Sequence, residues 1–174
     1  MHRNFYSEMN LMRTDLKLVA AIDRNNGIGK RSGELLFHIP EDMKRFRTLT
    51  TGNTVIVGRK TLETFPDKKP LPNRKTIVLS RMKPKDNGAV YCSDISELAA
   101  AIENIEGDIF VIGGGEVYRQ LIGFCDTLYI TRVDADGNGE VFFPKLDKTW
   151  IIKEKTEKKV HNSLEFWFET YIKG

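Results

Sequence analysis

From the N-terminus, the first unbroken apolar run is Leu16 to Ile22, which stops at Asp23-Arg24-Asn25-Asn26-Gly27. A short apolar run bounded by turn residues predicts a strand buried on both faces. Three more such runs follow: Thr54 to Gly58, Lys75 to Leu79, and Asp108 to Ile112, the last running into Gly113-Gly114-Gly115. Ala89 to Cys92 is a shorter one. Between them the pattern turns helical. Pro40, Glu41 and Asp42 have the make-up of a first helical turn, where proline needs no amide partner and acids suit the dipole. A second helix opens at Arg59 directly after Gly58. Asp94, with Glu97 three residues on, predicts a capped helix over about Ile95 to Asn104. A fourth is expected over Glu116 to Leu121. From Asp126 the helices cease. Thr127 to Val133, Trp150 to Lys155 and Leu164 to Ile172 read as strands, the first followed by the turn-rich Asp134 to Gly139. Alternating βα units followed by hairpin strands predict an α/β fold: a mixed, mainly parallel central sheet with antiparallel C-terminal strands and helices on both faces.

Composition narrows the function classes. A chain of 174 residues, 40% hydrophobic and 29% charged, is expected to be one globular domain with a full core. A net charge of +3, with lysine runs only at Lys68-Lys69 and Lys153 to Lys159, gives no basic stripe and argues against nucleic acid. No apolar run approaches the ~18 residues of a membrane span. Cys92 and Cys125 have no metal-ligand spacing and read as thiols of a reducing, cytoplasmic compartment. Met1 to Asp15 is polar and lacks a signal-peptide core, so it is expected as an extension without fixed structure ahead of a domain over 16 to 174, with Met9 or Met12 as a candidate start.

The candidate chemistry starts on the helix from Pro40. Asp42, Phe46 and Leu49 fall on one face, at spacings of four and three. That acid is either a first-turn charge curling to solvent or a carboxylate aimed into an apolar pocket, and position alone favours the first. Ala20 and Ala21 let a flat ligand approach the backbone, or simply fit a crowded core. Val57-Gly58-Arg59-Lys60-Thr61 suits an anion, with an ordinary surface turn as the plain alternative. The triple glycine is not a Rossmann fingerprint, because Tyr118 stands where the last glycine is required. It still permits backbone to lie against a phosphate or a ring, in a nucleotide-binding sheet of another type.

Taken together, these residues resemble the dihydrofolate reductase family, in order, from about Leu16 to Ile172. The pieces are Ala20-Ala21-Ile22-Asp23 with Gly27-Ile28-Gly29; His38-Ile39-Pro40-Glu41-Asp42 with Phe46; Val57 to Thr61; Pro70-Leu71-Pro72-Asn73-Arg74; Val111 to Tyr118; Leu128-Tyr129-Ile130-Thr131; and Phe142-Phe143-Pro144. The resemblance implies a dihydrofolate-reductase-like, three-layer fold and reduction of 7,8-dihydrofolate to tetrahydrofolate with NADPH. It implies Asp42 as the buried carboxylate anchoring the pterin, with Thr131 bonded to it, and a substrate pocket of Val19, Ala20, Met43, Phe46, Leu71 and Ile112. Arg74 would hold the glutamate-tail carboxylate, a bidentate task suited to guanidinium. For the cofactor it implies Ala21, Ile28 and Gly29 at the nicotinamide; Gly58, Arg59, Lys60 and Thr61 at the phosphates; and Leu79, Ser80 and Arg81 at the adenosine end. Gly113, Gly114 and Gly115 would lie along the cofactor, a cis peptide being typical of the first pair, with Ile112, Glu116, Val117 and Tyr118 flanking. Residues 29 to 37 would form a closing loop. Antifolate inhibitors would be ligands, and the form would be monomeric.

The chemistry suits the residue types. Hydride arrives beside an imine nitrogen that must also gain a proton, so one carboxylate in an apolar, water-poor pocket serves without a nucleophile, and activity should fall as pH rises. His38 and His161 are expected to be structural or exposed, His161 in a lysine-rich turn. The chain departs from the family at Leu36-Phe37, where Pro-Trp is usual, so that Phe37 keeps a ring but loses a donor that holds water. The stretch Gly29 to Phe37 is one residue longer than in common bacterial members, and Glu140 replaces a usual aspartate. Rival readings are a paralogous NADPH-dependent pyrimidine or pterin reductase, which would lack the pair Asp42 and Arg74, and a non-catalytic folate or nucleotide binder.

Overall fold

In the computed structural model, which describes residues 11–82 and 86–174, the run Leu16–Ile22 forms strand β1 near the middle of a nine-stranded sheet. On one side β1 pairs parallel with β6 (Ile109–Val111), and beyond that lie β3 (Thr54–Gly58), β4 (Lys75–Leu79) and β5 (Val90–Cys92), all parallel. On the other it pairs parallel with β7 (Cys125–Val133). The antiparallel part begins with β11 (Leu164–Lys173) on β7, and β9 (Trp150–Lys155) and β10 (Lys159–His161) both pair with β11. The expected mixed sheet is therefore the observed one.

Strand alternation sends neighbouring side chains to opposite faces, and helices cover both. Leu18, Ala20, Ile22, Ile56, Val111 and Ile130 pack with Leu98 and Ile102 of α3 (Ile95–Ile102) and Val117 and Leu121 of α4 (Gly115–Leu121). On the opposite face Val19, Val55, Val57, Phe110 and Ile112 pack with Phe46 and Leu49 of α1 (Pro40–Thr50) and Leu62 of α2 (Arg59–Leu62). Asp94 caps α3 by accepting from the Glu97 amide at 2.8 Å, an interaction worth about 1 kcal/mol. The return bond of Glu97 goes to the Ser93 amide, one residue earlier than a capping box requires.

Several elements depart from expectation. Gly27–Gly29, directly after the turn residues that stop β1, is a short strand β2 paired with β8 (Val141–Phe142), a partner too distant in sequence for local pattern to reveal. His161 lies in β10 opposite Leu164, not in a turn; the turn is Asn162-Ser163, with φ of 45° and 66°, the left-handed pair of a two-residue hairpin. Helix α3 ends at Ile102, two residues early. Of the expected extension, residues 1–10 lie outside the described residues. Met12 is buried, and Arg13 donates to the carbonyls of Ile102 and Ile105 at 2.9 and 2.6 Å, so this stretch closes the end of α3. Among the described residues no helix is long and apolar enough to cross a membrane.

Candidate active site

At the carboxyl ends of β1, β3, β4 and β6, where ligands of open α/β sheets bind, a cleft of about 420 Å³ opens. Its walls combine glycines and an alanine with larger apolar and cationic side chains. Ala21, Ile28, Gly29, Gly58, Leu79, Ile112 and Gly113-Gly114-Gly115 line its length, with Glu116, Val117 and Tyr118 beneath and Arg59, Lys60 and Thr61 at one end. Every residue expected at the cofactor is thus present except Ser80, half-buried with its hydroxyl accepting from the Met82 amide, and Arg81, which is exposed.

The glycines are needed for reasons of space. Gly113 has φ of +124°, and its peptide with Gly114 is cis, as the resemblance implied. A Cβ on Gly114 would meet the Thr61 hydroxyl at 3.1 Å, and one on Gly115 would collide with Val141. Tyr118, fully inside, donates to the Val19 carbonyl at 2.6 Å and ties α4 to β1. Burial, reinforced by the charge of Asp42, pushes its hydroxyl far above the usual range, so it remains a donor. Lys30, Arg31 and Arg119 also line the cleft and had been missed, although Lys30-Arg31 directly follows Gly29. The cleft therefore has a small, apolar inner end and a cationic outer part, which fits a flat ring joined to phosphates.

The second half of the site is made of side chains. In α1, Asp42 is half-buried and its Oδ1 accepts from the Thr131 hydroxyl at 2.6 Å. Thr131 is opposite Ala21 in the β1–β7 register, and Ala21 lines the cleft, which puts the carboxylate one strand away from the cleft's inner end. Burial raises the Asp42 carboxyl above the ordinary aspartate range, while the Thr131 bond and the positive charge of Arg45 oppose that rise. Position alone had favoured a solvent-facing acid. Packing overturns that, because Phe46 and Leu49 on the same helix seat against the Val19 and Ile112 cluster.

Val19 and Ile112 face α1 as the substrate reading requires, but Ala20 does not. It packs in the core under α3 and α4, since adjacent strand residues point to opposite faces. Met43 is exposed and Leu71 half-buried on the rim. Arg74 is held before any ligand arrives. Its Nε donates to the Thr50 hydroxyl at 2.8 Å, Nη1 to the Pro72 carbonyl at 2.8 Å and Nη2 to the Thr51 hydroxyl at 3.2 Å. Burial and the nearby charge of Arg47 lower its affinity for its proton. Arg47, which sequence reading had passed over, makes this corner doubly cationic. Phe37 packs with Ile39, Val133 and Phe166 and lies against Gly137, within the 134–140 loop.

The loops that flank the cleft are fastened to each other. Asp23, 3% exposed, accepts from the amides of Asn25, Gly27 and Gly137 at 2.8, 2.7 and 2.9 Å. The Glu140 amide donates to the Gly29 carbonyl at 3.0 Å, and Lys30 Nζ donates to the Asn138 carbonyl at 2.6 Å. In the sequence Asp23 is only one residue of a motif; its tie to Gly137 across 114 residues has no local signal.

A family-level profile described as dihydrofolate reductase matches residues 15–173. The chain is 38% identical over 152 residues to a dihydrofolate reductase of Neisseria meningitidis, covering 83% of this chain and 89% of that one. It is 33% identical over 163 residues to the dihydrofolate reductase of Bacillus subtilis, covering 91% and 94%. Among solved structures, dihydrofolate reductase from Enterococcus faecalis, complexed with NADP(H) and RAB-propyl, superposes with a TM-score of 0.83 at 32% identity, covering 93% of this chain and 98% of the other.

Proposed function

The chain belongs to the dihydrofolate reductase family and is an NADPH-dependent oxidoreductase that reduces dihydrofolate, and we propose that a single carboxylate, Asp42, anchors and polarises the pterin in that reaction. The observation that carries the proposal is the Asp42–Thr131 hydrogen bond of 2.6 Å, one strand from the glycine-lined cleft. NADPH, when bound, supplies the hydride.

The remaining work falls to the chain's own groups. Thr131 fixes the orientation of the Asp42 carboxylate through one oxygen, so that its two oxygens can take the amino group and ring nitrogen of the pterin side by side. Val19, Phe46, Leu49 and Ile112 keep that side apolar, so the interaction is not diluted by water. The undiluted negative charge of Asp42 favours the protonated ring that accepts hydride, and turnover falls as pH rises and that proton is lost. Arg74, with Arg47 beside it, takes the carboxylate of the glutamate tail. Gly113 to Gly115, Gly29 and Ala21 take the nicotinamide end, and Arg59, Lys60 and Thr61 the phosphates, with Ser80 and Arg81 at the 2′-phosphate. We further infer that residues 16–174 act as one monomeric, cytoplasmic domain open to antifolate inhibitors; Cys92 and Cys125 are buried and form no disulfide, which suits a reducing compartment, and burial pushes the Cys125 thiol up to about 12.

The test follows NADPH absorbance with dihydrofolate in the wild type and in Asp42→Asn. Turnover that collapses in the variant supports the assignment. Absent turnover with NADPH still bound would move the reading to a pyrimidine-type reductase or a silent binder.

A further inference from the structure

One charged residue near Asp42 has no place in the assignments above. Arg45 is one turn along α1 from Asp42, and its guanidinium is half-buried, not solvated. It lies over the Phe168 ring at 4.5 Å and the Tyr129 ring at 5.6 Å, and donates to the Ile130 carbonyl at 3.3 Å and the Thr170 hydroxyl at 3.4 Å. Ile130 is the neighbour of Thr131 in β7, and in the pairing with β11 Phe168 stands opposite Thr131 and Thr170 opposite Tyr129. A guanidinium held between two rings and two strands cannot swing away as a surface cation would.

Burial of this kind is unfavourable for an unpaired cation, so its counter-charges matter. From its own helix it faces Asp42; from β7 it faces the Tyr129 phenol; from β9 it faces Glu154, on an exposed strand. Asp42 is faced in turn by Arg45 and, from α4, by Tyr118. At the start of α1, Glu41 pairs outward with Lys159 at 3.6 Å and takes no part.

We propose that Arg45 is a positioning residue of the reductase site: clamped between β7 and β11, it supplies the fixed positive charge against which the Asp42 carboxylate works and so sets the upper pH limit of turnover. This rests on the reductase reading given above. The sign is independent of which atom holds the proton. Whether it resides on Asp42 or on the bound pterin, a nearby positive charge opposes it, so removing that charge moves the falling limb of the pH profile to higher pH.

The experiment measures kcat and kcat/KM for dihydrofolate against pH in the wild type, Arg45→Lys, Arg45→Gln and Arg45→Met, with saturating NADPH to help hold the variants folded. The neutral variants should move the limb of kcat/KM upward by about one pH unit, and Arg45→Lys should restore it towards the wild-type position. A limb that stays in place in Arg45→Gln or Arg45→Met while Tm and kcat fall alike at all pH would reduce Arg45 to a clamp and overturn the proposal. A protein that folds with lysine but with neither glutamine nor methionine makes the cation a need of the β7–β11 seat itself, and it too overturns the proposal. A wild type without turnover overturns the reductase reading instead, which separates the two failures.

Discussion

The two halves of the cleft are built from different materials. The half proposed for the cofactor turns on backbone at Gly29, Gly58 and Gly113 to Gly115, each in or beside the strand or helix that places it, with a Cβ excluded by contacts as close as the Glu34 carbonyl, 2.8 Å from where one on Gly29 would sit. The half proposed for the pterin is chiefly side chains brought together over long sequence distances, Asp42 to Thr131 across 89 residues and Arg45 to Thr170 across 125. Backbone surfaces fix shape with little chemistry of their own. Side-chain constellations carry charge and proton affinity but depend on several elements arriving in register.

This contrast is open to direct attack, and the largest effect is expected at Asp42. Replacement by asparagine should lower kcat by roughly 10²- to 10⁴-fold with the KM for NADPH little changed; a loss of NADPH affinity of the same size would mean the halves are not separable. The same variant has a stability signature. Burial raises the folded-state affinity of Asp42 for its proton, so the stability linked to that proton is full below the unfolded-state value and lost as pH rises through the folded one. Asp42→Asn should therefore melt about one to three degrees higher than wild type at pH 7 and level with it at pH 3.

Next in size is Arg74→Lys, which keeps the charge but loses the planar fork. The KM for dihydrofolate should rise about ten- to hundredfold, with kcat and the KM for NADPH nearly constant in steady-state assays. Gly29→Ala probes the backbone half. A new methyl against the Glu34 carbonyl should raise the KM for NADPH about tenfold and leave dihydrofolate binding alone. Phe37→Trp should have the smallest effect, a roughly two- to threefold change in kcat and in antifolate affinity, because its ring packs with Val133 and Phe166 at the loop boundary between the halves. Unchanged kinetics and inhibitor binding would remove Phe37 from the site.

The same division explains what could be read from the chain alone. Elements whose signal is local were legible: β1 from Leu16 to Ile22, α1 from Pro40, and the glycine run after β6, where pattern, punctuation and structure coincide. So was most of the backbone half of the site, because each of its residues ends a strand or starts a helix. Legibility failed where the cause was distant. The β2 and β8 pairing, the Asp23 bridge to Gly137 and the seat of Arg45 all depend on partners far off in sequence, 114 residues for Asp23 and Gly137 and 85 and 125 for the two hydrogen bonds of Arg45. Ala20 failed differently: its neighbour Val19 faces the substrate side, and a run buried on both faces does not announce which parity is which.

Strand β11, Leu164 to Lys173, follows every residue that lines the cleft, yet it carries Phe168 and Thr170, the ring and hydroxyl that seat Arg45, and its pairing with β7 puts Phe168 opposite Thr131. During synthesis every residue lining the glycine-rich cleft therefore leaves the ribosome before the acid half can be finished. A nascent chain stalled short of Leu164 would lack the ring and hydroxyl that seat Arg45, so reductase activity should emerge only after β11 has left the ribosome.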